Sequence, residues 1–68
     1  MKRMQFKNRI AVYRAKLKLT QQELADQINV TRNALKNWET HRCMPSEENT
    51  AKLLRRFKCS WDKLFYKI

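Results

Sequence analysis

Thr20 and Glu23 open the most constrained stretch of the chain, LTQQELADQINVTRNALKNWE from Leu19 to Glu39. Thr-x-x-Glu is a capping box. The threonine hydroxyl accepts from the backbone N–H of the third residue on, and the carboxylate reaches back to the threonine N–H. A helix is therefore predicted over residues 21–28, with Leu24, Ala25 and Ile28 on its apolar face. Asn29 suits the left-handed residue that follows a helix. Thr31 is the next N-cap, and a second helix is predicted from about Arg32 to Thr40, burying Leu35 and Trp38. A chain with no glycine must make the turn between them from Asn29, Val30 and Thr31. Ala25 is small enough to let the two helices pack closely.

Around this pair the rest of the chain also reads as short helices. Phe6, Ile10, Tyr13 and Leu17 recur at four, three and four, the spacing of one helical face, which predicts a first helix over residues 5–17. HRCMPS is a loop, because Pro45 cannot continue a helix. Ser46 caps a fourth helix with Glu47 and Glu48 against its positive end, burying Leu53, Leu54 and Phe57. Ser60 caps a short fifth helix, WDKLF. The remainder, YKI, alternates apolar, basic, apolar. The expected fold class is all-α: five short helices in a single domain over residues 1–68. A domain of 68 residues buries only about 60% of its unfolded surface, so it depends on tight helix packing or on self-association.

Charge narrows the partners. Sixteen Lys and Arg against six Asp and Glu give +10. Residues 1–18 hold Lys2, Arg3, Lys7, Arg9, Arg14, Lys16 and Lys18 and no acid. Such a surface is solubilising, or it attracts a polyanion: nucleic acid or an anionic membrane. No apolar run approaches a membrane span, the first residues lack the apolar core of a signal peptide, and the capped breaks rule out one continuous amphipathic helix. Cys43 and Cys59 form no CxxC and are read as reduced thiols of a cytoplasmic protein, with Cys59 packed as a small hydrophobe. No cofactor, small-molecule ligand or metal is expected. One histidine, two distant cysteines and six scattered acids give no acid–base pair, triad or metal cluster, which also argues against an enzyme.

The third helix carries the functional signal. With Leu35 and Trp38 inward, a rotation of about 100° per residue turns Asn33, Lys36, Asn37 and Thr40 outward, with Arg32 at the border. These are donors, acceptors and cations, without an acid. Such a face is either simply solvated or fitted to a major groove, where Asn bonds adenine, Arg guanine, and Lys guanine or phosphate.

At this point the chain resembles a known family. NRIAVYRAKLKLTQQELADQINVTRNALKNWE, followed by MPSEENTAKLLRRFKCSWDKLF, is similar to the helix-turn-helix family of the phage repressors and Cro, over nearly the whole chain. Within it the chain is most similar to short stand-alone bacterial regulators. The resemblance implies a lambda-repressor-like domain with the helix-turn-helix at the second and third helices, and double-stranded DNA as partner. It implies that Gln21 bonds a DNA phosphate and supports the third helix. Thr31, Arg32, Asn33, Lys36 and Asn37 fall at recognition positions, with Thr40 and Arg42 beside them. Arg14 and Glu39 match a partly buried ion pair of the family, the alternatives being a phosphate contact and a solvated helix end. The family often has glycine after its first three helices; here Lys18, Asn29 and His41 take those places. Asn and His tolerate the left-handed conformation better than Lys does. His41 is expected to be a loop residue.

The expected function is a sequence-specific transcriptional regulator, a repressor acting by operator occupancy. The alternative is an antitoxin or antirepressor-type interaction module on the same fold, which would need an apolar centre on its binding face. A palindromic operator implies a homodimer, with Phe65, Tyr66 and Ile68 as its interface and YKI as a strand pairing with its symmetry mate. Alternatively, Phe65 finishes the core and the last residues fray.

Overall fold

A computed structural model of the chain describes residues 6–67. Its elements are β1 (Phe6–Asn8), α1 (Ile10–Lys16), α2 (Gln21–Ile28), α3 (Arg32–Glu39), α4 (Glu47–Phe57), α5 (Trp61–Leu64) and β2 (Phe65–Lys67). Five helices form, as the sequence predicts, and α2, α3 and α4 start at the caps expected for them. The Thr20 box is complete: its hydroxyl accepts from Glu23 N at 3.1 Å, and its own N–H donates to the Glu23 carboxylate at 2.8 Å. Thr31 accepts from Ala34 N and Ser46 from Asn49 N. Ser60 occupies the N-cap position of α5 but donates its hydroxyl to Asp62 instead of capping. That bond holds the Asp62 carboxyl below its ordinary value.

The helices also end alike. Lys18, Asn29, His41 and Lys58 all have φ between 56° and 64°. After each, the next N–H returns to a carbonyl five residues back: Leu19 to Arg14, Val30 to Ala25, Arg42 to Asn37 and Cys59 to Leu54. This is the Schellman closure that usually recruits glycine. Here two lysines, an asparagine and a histidine make it.

Both ends of the chain depart from expectation. The first helix does not reach back over residues 5–9. Phe6–Asn8 is a strand, antiparallel to Phe65–Lys67, in the register Phe6↔Lys67, Lys7↔Tyr66 and Asn8↔Phe65. The cause is Asn8. Its buried side-chain oxygen accepts from Ile10 N at 3.1 Å, and its amide donates to the Trp38 carbonyl at 2.8 Å. An Asx turn of this kind starts a helix at Ile10 and forbids one through Asn8. Leu17 lies past the end of α1 and is 40% exposed, so it leaves the apolar face on which its spacing placed it.

Tyr66 and Lys67 of YKI do lie in a strand, which starts at Phe65, but it pairs with the chain's own β1. Phe65 is 2% exposed and has almost nothing left to bury against a partner. Phe65 closes the core, the alternative the sequence left open, and Tyr66, still exposed, lies under the Arg9 guanidinium, 4.4 Å from the ring centroid. Ile68, the third residue of the expected interface, lies outside the described residues, as do Lys2 and Arg3. Arg9 also donates to the Lys63 carbonyl, and its N–H to that of Leu64. One cation of the basic N-terminal segment therefore ties the two chain ends together.

The core is Ile10, Leu24, Ala25, Ile28, Leu35, Trp38, Leu53, Phe57, Leu64 and Phe65. α2 packs against both α3 and α4, and α1 against α3. Tyr13 stacks on Phe57, with centroids 5.2 Å apart. Leu64 is fully buried, whereas Trp61 stays 41% exposed. Its ring stacks on Phe65 instead of entering the core.

Candidate nucleic-acid interface

α3 presents its polar face because its apolar one is used. Leu35 is fully buried and Trp38 is 4% exposed, which fixes the rotation of the helix. Arg32, Asn33, Lys36 and Thr40 are consequently exposed, and Asn37 is half-buried. Arg32, Asn33 and Lys36 line one shallow open depression of about 370 Å³. The two threonines at the ends have helical duties. Thr31 Oγ1 accepts from Ala34 N, and Thr40 Oγ1 donates to the Lys36 carbonyl at 2.9 Å. Of the expected site residues, Arg32, Asn33 and Lys36 come together as one surface, Asn37 sits at its inner margin, and Arg42 is exposed in the loop beyond.

Behind this face lies a network that sets the α2–α3 angle. Arg14 Nε donates to Glu39 Oε2 at 2.8 Å and its Nη2 to Glu39 Oε1 at 3.0 Å. The third nitrogen, Nη1, donates to the Leu19 carbonyl at 2.9 Å. The two side chains are 21% and 6% exposed, so the pair is largely withdrawn from water. The bond from Glu39 raises the Arg14 guanidinium above its ordinary value, so its charge is kept at any working pH. The only acid of α3 is thereby neutralised and turned inward, and the outer face keeps only neutral and cationic groups.

Gln21 joins the same network: its Nε2 donates to Glu39 Oε1 at 3.0 Å. The expected phosphate contact is thus a side chain already oriented by the ion pair. Glu39 holds Arg14 from α1 and Gln21 from α2 while belonging to α3, so one carboxylate registers three helices. The spacing of the sequence contains no sign of the Gln21–Glu39 bond, because the two residues belong to different helices.

Other ring and thiol groups are accounted for close by. Asn8 pins the end of α3 from behind through the Trp38 carbonyl. Its signal in sequence is an asparagine two residues ahead of a helical apolar run. His41, in the left-handed turn after α3, has a buried Nδ1 without a hydrogen-bond partner in the structure. Cys59 lies half-buried against Tyr13, and burial pushes its thiol up. Among the described residues no three His, Cys, Asp or Glu side chains converge to hold a metal, and no helix is long and apolar enough to cross a membrane.

The geometry has known counterparts. The chain is similar in structure to a Bacteroides fragilis protein provisionally named as DNA-binding, with a TM-score of 0.78 and 24% identity over 90% of this chain and 98% of that one. That likeness extends to the fold. No curated protein matches the sequence. The helix-turn-helix family profile, however, matches residues 10–64, from the first residue of α1 to the last of α5. The capped α2 and α3, the tight turn at Asn29 and the polar outer face of α3 agree with that match, and the chain belongs to the helix-turn-helix family of DNA-binding domains.

Proposed function

We propose that the protein is a sequence-specific transcriptional regulator that represses by occupying an operator overlapping a promoter. The observation that carries this is the outer face of α3: Arg32, Asn33 and Lys36 exposed together, with the helix's one carboxylate locked inward on Arg14. In this reading the α3 face enters the major groove of double-stranded DNA. Arg32 and Asn33 read base edges, and Lys36 and Asn37 extend the contact to bases or phosphate. Gln21, held by Glu39, donates to a backbone phosphate at the start of α2, and Thr31, Thr40 and Arg42 border the footprint.

A lone recognition helix covers too few base pairs to mark one site, so the protein acts as a homodimer on a palindromic operator. The other reading, an antitoxin or antirepressor module, asks for an apolar centre on the same face, and α3 supplies none. Selection of bound sequences from a random duplex library tests the proposal. Enrichment of a palindrome supports it; recovery of unenriched sequence rejects it.

A further inference from the structure

Three cations stand together away from the outer face of α3. Lys52, Arg55 and Arg56 line an open groove of about 380 Å³ between the second half of α4 and the last turn of α2, where Gln27, Ile28 and Asn29 form the other wall. Their spacing, three and four residues on from Lys52, puts all three on one side of α4. Arg55 is exposed, and Lys52 and Arg56 are half-buried. Arg56 is held in place, because its Nε donates to Gln27 Oε1. That bond leaves both Nη groups for a ligand. No acid lines the groove. The acids nearest to it in sequence are Asp26 and Glu48, and the Asp26 carboxylate accepts from Gln22 Nε2 at 2.9 Å. Among the described residues only Arg14 and Glu39 form an ion pair, so neither acid neutralises a groove cation. Lys58, two residues past Arg56, adds to the positive charge.

The helix end explains part of this. Arg55 and Arg56 lie in the last turn of α4, where cations complement the helix dipole. Lys52 lies a turn earlier, and the dipole asks for no bridge from Arg56 to Gln27. What the three cations share is a concave site with uncompensated charge, which attracts an anion. The surroundings choose the anion. The exposed large apolar side chains, Val12, Leu17, Met44, Trp61 and Tyr66, all lie outside the groove, and a membrane surface would need apolar residues beside the cations. Asn29, exposed at the rim, presents an amide that accepts as well as donates. A peptide N–H can use that acceptor, whereas a phosphodiester has no donor to offer it. Carboxylates three or four residues apart on a helix stand about 5–6 Å from each other, which matches the spacing of the cations they would meet.

Position agrees. α2 packs against both α3 and α4, and the groove lies on its α4 side. Gln21 opens α2, and Gln27 stands roughly 9 Å further along the axis. No lining residue is shared with the α3 depression. A duplex seated on α3 and Gln21 therefore leaves this groove free. We infer that the groove between α2 and α4 binds an acidic segment of a second protein, with carboxylates set on Arg56 and on Lys52 or Arg55. The domain then holds that protein beside the duplex it occupies. The inference stands apart from the DNA-binding reading, which uses α3.

The probe is a fluorescent, alanine-based helical peptide with glutamates at three- and four-residue spacing, compared with the same peptide carrying glutamines. Anisotropy measures its binding to the full chain, alone and saturated with the duplex selected from the random library. The wild type is expected to bind the glutamate peptide in both states and to ignore the glutamine one. Lys52→Gln with Arg55→Gln should weaken binding by about tenfold. Lys63→Gln with Lys67→Gln removes the same charge elsewhere and should weaken it by less than about twofold. Circular dichroism melts verify that both double variants fold. Amide shifts caused by the peptide should gather at residues 27–29 and 52–56. Equal weakening by the two double variants overturns the inference, because the peptide would then answer to net charge alone. Displacement of the peptide by the duplex overturns it too, since its site would then belong to α3. So does a loss of duplex affinity in the Lys52→Gln, Arg55→Gln chain as large as its loss for the peptide, which would make the groove a phosphate contact. A wild type that binds neither peptide also overturns it. A chain that binds the glutamate peptide in this groove but no duplex supports the inference and sinks the DNA-binding reading.

Discussion

Lys18 and Lys58 each hold a left-handed conformation, φ 58° and 56°, that an L-residue with a Cβ enters at a cost of about 1–2 kcal/mol. Both are exposed, so replacement disturbs no packing. Lys18→Gly and Lys58→Gly should each raise unfolding stability by about 1 kcal/mol, and Asn29→Gly by less, because asparagine already tolerates this region. Denaturant unfolding measures all three; loss of stability in both lysine variants would contradict the closure described for α1 and α4. The Lys18 position is legible from the family pattern. Lys58 is not, since nothing in the sequence around it marks a helix end except the serine cap that follows. Thiol chemistry separates the cysteines at the same scale. Cys43 is exposed, whereas Cys59 is half-buried with its thiol pushed up by burial. At about pH 8 a thiol reagent should therefore label Cys43 rapidly and Cys59 slowly, with Cys59 catching up only on unfolding. Equal rates in the folded protein would show that Cys59 is not packed against Tyr13.

Elements are joined here by a few polar contacts between helices, and these were the least legible part of the fold. The caps at Thr20, Thr31 and Ser46 are local signals, so α2, α3 and α4 can be read from the sequence. β1 cannot, because Phe6 and Ile10 happen to stand at helical spacing and the deciding bonds of Asn8 include one to Trp38, thirty residues away. The partner of β2 is equally non-local: an alternating tail predicts a strand but not which strand it joins. Asn8→Ala removes the Ile10 cap and leaves the Trp38 carbonyl with only its bond from His41 N. The expected loss is about 1–3 kcal/mol, with β1 released from β2, and amide exchange of Lys7 and Tyr66, which face each other across the pair, would report the release. The Arg14–Glu39 pair is the other joint. Its guanidinium is 21% exposed, so removing one partner should cost about 3 kcal/mol, the lower end of the range for a buried pair. A double-mutant cycle decides, and additive effects of Arg14→Ala and Glu39→Ala would deny the coupling. Glu39→Gln keeps the shape but weakens the hold on Gln21, so DNA affinity should fall for all sequences alike.

At the scale of the whole molecule, charge and shape divide the labour. In the proposed function the +10 balance draws the protein to DNA in general, and the α3 face tells one sequence from another. The charge and the face were both visible in the sequence. The inward turn of Glu39 that clears the face of negative charge needed the three-dimensional structure. Asn33→Ala should thus relax preference at one base position at a cost of about 1–3 kcal/mol, and leave binding to unrelated DNA unchanged. The most direct test of the account compares the affinity of the intact chain for the duplex it selects and for a shuffled duplex of equal length, at physiological salt. A preference of at least about a thousandfold for the selected duplex is expected, with affinity for both falling as salt rises. Equal affinity for the two duplexes would contradict it.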